Sequence, residues 1–119
     1  MSAKRSKKPR KGTRARRAPL RLTENAVTLT VEFRARAGQE GVLEQELRGL
    51  VGPTRKEDGC LAYDLHRAAN IPGLFLLIEI WASRDHHTGH LETPHMQRWA
   101  SCKDAFLASR EASFWKRID

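Results

Sequence analysis

The sequence predicts an α+β domain of the ferredoxin-like type: a βαββαβ chain with an antiparallel sheet and helices on one face. Three features lead there. One stretch near the start of the body alternates strictly between apolar and polar residues. One stretch in the middle is apolar on both faces. Amphipathic segments with helical spacing fall between the strands. At 119 residues the chain fits one domain with a modest core.

The elements follow in order. "AVTLTVEFRAR" (26–36) puts Val27, Leu29, Val31, Phe33 and Ala35 on one face and Thr28, Thr30, Glu32, Arg34 and Arg36 on the other, the pattern of a half-buried strand. "GQEGVLEQELRGLV" (38–51) places Leu43, Leu47, Leu50 and Val51 on one helical stripe. Gly52-Pro53 is expected to end that helix. "TRKED" then reads as a short turn, with Thr54 and Glu57 spaced as a capping box and Gly59 closing it. "CLAYDLHR" (60–67) alternates again, with Leu61, Tyr63 and Leu65 sharing a face. After the turn "ANIPG", "LFLLIEIWA" (74–82) is apolar on both faces and so belongs in the middle of a covered sheet. Ser83 caps a short helix, and Thr93-Pro94 starts another, since proline costs nothing at a first helical position. That second helix is expected to carry Trp99, Cys102 and Phe106 on its inner stripe. "ASFWKRI" (112–118) reads as the last strand.

The helices of such a fold cover one face of the sheet, yet 74–82 is apolar on both. The simplest cover for the second face is a second copy of the same sheet, so a homodimer is expected.

The charge is unevenly spread. Ten of the 22 Lys/Arg and none of the 14 acids lie in residues 1–21. The net charge of +8 therefore belongs to the tail, and the body is nearly neutral. Residues 1–24 read as a basic, disordered N-terminal tail and 25–119 as the folded domain. Such a tail suits weak, non-specific nucleic-acid contact through residues 1–21, or simple solubility. No apolar run reaches the ~18 residues of a membrane span, and the basic N-terminus lacks the apolar region of a secretory signal. Cys60 and Cys102 form no metal or disulfide pattern, which suits a reducing compartment. The expected location is cytoplasmic.

The candidate chemistry lies in two places. Glu79 shares a face with Phe75, Leu77 and Trp81, and a carboxyl group among apolar side chains must be paired or neutral. "HHTGHLETPH" (86–95) holds four of the five histidines. His86 and His87 are expected to face solvent. His86 and His90 supply at most two metal ligands, with no third nearby, so no metal is expected. His95 should point inward from the first turn of its helix, where the helix dipole favours a neutral imidazole. A dyad of Glu79 with His90 or His95 suits general-base work near neutral pH. An inward histidine that only satisfies a backbone carbonyl is the plainer alternative.

The stretches "VTLTVEFRARAGQEGVLEQEL", "PTRKEDGCLAYDLHR", "PGLFLLIEIWASRDHHTGHLETPHM" and "FWKRI" resemble the antibiotic biosynthesis monooxygenase (ABM) family, including its quinol monooxygenases. Glu79-x-Trp81, His90 and Thr93-x-His95 carry the most specific part of the likeness. The resemblance covers about Val27 to Ile118 and none of the tail. It implies a ferredoxin-like protomer and a dimeric α+β barrel. It also implies oxidation of a small phenolic or quinol-like aromatic substrate by O2, with no cofactor. Carried over, it makes His95 or His90 the base with Glu79 orienting it, and puts Tyr63, Trp81 and Phe75 against the substrate. Haem-degrading relatives carry an asparagine on the first strand, and "TLTVEFRA" has none. A non-catalytic or isomerase member of the same fold, with the tail on nucleic acid, is the alternative.

Overall fold

A computed structural model describes residues 24–119. The tail, and the expectations placed on it, lie outside them apart from Glu24. The elements run β1 (Val27–Ala35), α1 (Glu40–Arg55), β2 (Cys60–Arg67), β3 (Leu74–Trp81), α2 (Arg84–Leu91), α3 (Pro94–Cys102), a 3-10 turn (Lys103–Ala105) and β4 (Leu107–Trp115). The sheet order is β2-β3-β1-β4, and every neighbouring pair is antiparallel. This is the ferredoxin-like α+β fold. No helix among the described residues is long and apolar enough to cross a membrane.

The two-residue period of the strands builds the core. Leu29, Val31 and Phe33 of β1 and Phe75, Leu77, Glu79 and Trp81 of β3 all point to the helix side and are buried. Leu43, Leu47 and Leu50 of α1 close over them, each worth roughly 1.5–3 kcal/mol of hydrophobic stabilisation. Phe33 meets Trp99 of α3 edge to face, ring centres 5.7 Å apart. On the other side of the sheet, Leu74, Leu76, Ile78 and Ile80 are only half-buried. They pair with Arg34, Glu32, Thr30 and Thr28 of β1. Trp115 joins them there, its Nε1 donating to Thr30 Oγ1 at 2.7 Å.

Five local expectations need correction. α1 does not stop at Gly52-Pro53 but runs to Arg55 with Pro53 inside its last turn. The lost proline N–H removes one hydrogen bond there, while continuation adds Thr54 to the buried stripe of Leu43, Leu47 and Leu50. Thr54 is therefore a fully buried helical residue and not the start of a capping box. Leu61 is 44% exposed because the register shifts between Cys60 and Ala62. The extra residue bulges out of the face it would otherwise share with Tyr63. α3 ends at Cys102, so Phe106 packs from beyond the 3-10 turn, where it still meets Trp99. β4 begins at Leu107 and ends at Trp115. Its polar "ASREAS" gives no alternation to read, and pairing with β1 alone makes it a strand.

One turn positions the site. Gly59, with φ +80°, closes the link from α1 to β2. A Cβ there would collide with the His86 ring, so glycine lets the Glu57–Gly59 turn lie against α2. The cap predictions at Ser83 and Thr93 hold: Ser83 Oγ accepts from His86 N at 3.2 Å, and Thr93 Oγ1 from Met96 N at 3.4 Å.

Candidate active site

The two inward histidines meet a carboxylate, but it belongs to Glu57. His90 Nδ1 lies 2.8 Å from Glu57 Oε2, and His95 Nε2 lies 2.6 Å from the same oxygen. Three separate elements supply the group: the turn before β2, the last turn of α2 and the first turn of α3. The Thr93 cap sets the break between the helices. Its hydroxyl donates to His90 O at 2.8 Å and lies 3.2 Å from His95 Nε2.

Hydrogen-bond logic fixes the tautomers. A carboxylate oxygen only accepts, so both facing imidazole nitrogens must carry hydrogen. A neutral His90 then holds its proton on Nδ1 and its lone pair on Nε2. Burial pulls the His90 pKa below its usual value, against the raising effect of Glu57. The His90 side chain is 1% exposed and that of His95 22%. His90 also stacks against Trp81, ring centres 4.7 Å apart, and meets Tyr63 edge to face at 5.7 Å.

Glu79 takes a different partner from the one expected. Its Oε1 accepts from Trp81 Nε1 at 2.9 Å, two residues along the same face of β3. Burial pushes its pKa up, opposed by the Trp81 hydrogen bond and the charge of Arg110. Its cross-strand neighbours are Leu29 and Tyr63. Tyr63 is buried, and its phenol is pushed far above its usual pKa by burial and by Glu79. Such a phenol stays protonated.

Glu79, Tyr63 and His90 line one narrow cavity between sheet and helices, together with Leu91, Met96 and Arg110 among others. Its volume is about 20 Å³, room for one water. An aromatic guest therefore requires side chains of the α2–α3 wall to move, and flexible Met96 and half-exposed Leu91 stand there. A larger open groove of about 620 Å³ lies between α1 and β2 and shares no lining residue with this cavity. Its arginines are tied up: Arg48 and Arg67 pair with Glu44, and Arg55 with Asp64. Without an acid/base pair it is the weaker candidate despite its size. Phe75, expected against the substrate, lines that groove and not the cavity.

His86 and His87 are half-buried, not solvent-facing. Ser83 Oγ holds His86 Nδ1 at 2.7 Å. His87 meets Phe114 edge to face at 5.6 Å and flanks Trp81. β4 begins at Leu107, before the expected strand 112–118, and its pairing with β1, which brings Phe114 beside His87, was not visible in the sequence. Glu57 was missed because it lies 33 and 38 positions from its two histidines. No local spacing encodes such a meeting.

Residues 26–101 match the family model described as "Antibiotic biosynthesis monooxygenase". Among curated proteins, the chain is 35% identical over 69 residues to "Putative monooxygenase Rv0793" of Mycobacterium tuberculosis, covering 58% of this chain and 67% of the relative. It is 34% identical over 85 residues to "Probable quinol monooxygenase YgiN" of Escherichia coli, covering 62% and 81%. Among solved structures, PA3566 of Pseudomonas aeruginosa superposes with a TM-score of 0.78 at 34% identity, covering 81% of this chain and 97% of that one.

The raised Glu79 pKa gives stability a signed pH dependence. Above the ordinary carboxyl pKa of 4.5, the unfolded state releases this proton while the folded state keeps it. The contribution is complete below that pH and is lost as pH rises through the folded pKa. Glu79→Gln keeps an acceptor for Trp81 and cannot ionise. Denaturant unfolding at a series of pH values should show wild type losing stability relative to Glu79→Gln as pH climbs above 4.5. Parallel profiles would contradict a buried neutral Glu79.

Proposed function

We propose that this chain, which belongs to the antibiotic biosynthesis monooxygenase family, oxidises a small phenolic or quinol-like substrate with O2, using His90 as the base and no cofactor. The observation that carries the reading is the Glu57–His90 hydrogen bond beside the cavity. Glu57 holds the proton on Nδ1, which leaves Nε2 free to take the substrate's hydroxyl proton. Glu57 is a positioning residue here, and His95 shares and orients its carboxylate.

The chemistry needs little beyond that proton. A phenolate is electron-rich enough to give an electron to O2. The resulting pair combines into a C–O bond and a peroxide. Breaking the O–O bond with protons returned by His90 and solvent releases water. For a quinol the balance is quinol plus O2 to hydroxyquinone plus water, with the substrate supplying all the electrons. A neutral Glu79 contributes a hydroxyl donor toward the developing oxyanion while Trp81 holds its other oxygen. Tyr63 and Met96 supply wall around a site that excludes water, while Trp81, expected against the substrate, does not line the cavity and instead backs the His90 ring.

The working unit in this reading is a homodimer packed through the free sheet face. The row Leu74–Ile80 and the 59% exposed Trp115 form an apolar surface that a second sheet covers with two-fold symmetry. The free cysteines Cys60 and Cys102 suit the reducing cytoplasm proposed as its location.

Two experiments test this. An oxygen-electrode screen of hydroquinones, catechols and anthrones should give uptake that His90→Ala lowers by about a hundredfold or more and Glu57→Gln by about tenfold, the range for lost acid/base groups. Wild-type rates in both variants would remove His90 and Glu57 from their roles. In sedimentation, the wild type should run as a dimer and Ile78→Lys as a folded monomer. A monomeric wild type would refute the sheet-to-sheet interface.

A further inference from the structure

The Glu57 cluster supports more than proton transfer. Its donor atoms, one carboxylate oxygen and two imidazole nitrogens, all lie within 4.8 Å of one another. We infer that Glu57, His90 and His95 also form a transition-metal site, taking one Zn2+ through Glu57 Oε2, His90 Nδ1 and His95 Nε2, and that this ion turns the base off.

The geometry asks for little rearrangement. Tetrahedral Zn2+ with bonds near 2.0–2.1 Å holds its donors roughly 3.3 Å apart. Oε2 already lies 2.8 and 2.6 Å from the two nitrogens, and no two of the three donor atoms are more than 4.8 Å apart, so side-chain shifts on the order of 1 Å bring them to that spacing. The partly exposed His95 and Glu57 side chains, at 22% and 13%, give an ion a way in, while His90 forms the buried end. Two imidazoles and one carboxylate suit Zn2+, Fe2+ or Co2+ and not the all-oxygen preference of Ca2+ or Mg2+. The fourth position is left for water. Trp81, stacked on His90, and the Thr93 hydroxyl beside His95 hold the two rings in place, the task outer groups perform at metal sites.

The switch follows from counting protons. A neutral imidazole carries one. When Nδ1 of His90 binds the ion, that proton moves through solvent to Nε2, and no net proton is gained or lost on the ring. The lone pair proposed to accept the substrate's proton becomes an N–H donor. The same contact that prepares the base in the metal-free protein is therefore replaced by one that disables it. The inhibition rests on His90 being the base; the binding does not.

The test uses the full chain, freed of metal by a chelator and titrated with ZnCl2 in a calorimeter, with Co2+ as a second probe read by its visible absorption. One ion per chain is expected. Glu57→Gln and His95→Ala, each checked for retained fold by circular dichroism, should weaken binding by at least about a hundredfold, the upper end of what losing an outer-shell partner costs. His66→Ala, at an exposed strand position, should bind as wild type. Absence of one-to-one binding, or wild-type affinity in both ligand variants, overturns the site. In the oxygen electrode, saturating Zn2+ should abolish uptake. Binding at the triad with uptake unchanged would overturn the switch and the base assignment of His90, and leave the metal site standing.

Discussion

The Glu57 carboxylate oxygen accepting from two imidazoles is the contact on which the site depends. It ties the turn before β2 to α2 and α3. Those two short helices have modest local support. α2 contains Gly89 and four histidines or threonines in eight residues, none a strong helix former. Each is started by a side-chain cap, and each is held in place by what its histidine reaches. Removing the carboxylate would leave a buried His90 Nδ1–H without its partner, at a typical cost of about 1–3 kcal/mol. Structure and chemistry share one hydrogen bond here.

The sheet supplies the other half. β3 puts Trp81 and Glu79 on one face by its two-residue period, which sets the indole N–H against the carboxyl oxygen. The indole ring then serves as the floor for His90. An acid and an imidazole thus line one cavity, and burial pushes the Glu79 pKa up and the His90 pKa down. Two groups whose environments push their pKa values in opposite directions are suited to opposite jobs, one to donate and one to accept. The proposed metal site uses the outward nitrogen of the same imidazole, so ion and substrate compete through one proton's position.

Much of this was legible in the sequence. Strict alternation in 26–36 and the apolar run 74–82 located the two central strands, and Ser83 and Thr93-Pro94 marked both helix starts, because these signals are local. Membership of the family was legible for the same reason, in Glu79-x-Trp81 and the histidine spacing. Other features depend on tertiary contacts. α1 passes through Pro53 and carries Thr54 into the core, an outcome set by packing and not by the local Gly-Pro signal. β4 is a strand because β1 is beside it. Leu61 is out of phase because the register slips beside it. Glu57 looked like half of a capping box, and only the fold brings it to His90 and His95. Glu79 was rightly singled out as an anomalous buried acid. Its answer lay two residues away in Trp81, not in the histidines.

The central claim is that Glu57 fixes the proton of a neutral His90 on Nδ1. Nitrogen-15 NMR of the imidazole rings in the metal-free protein at neutral pH measures this directly. The account predicts that His90 shows a protonated Nδ1 and an unprotonated Nε2 in the wild type, and loses that preference in Glu57→Gln. A wild-type His90 protonated on Nε2, or on both nitrogens, would contradict it.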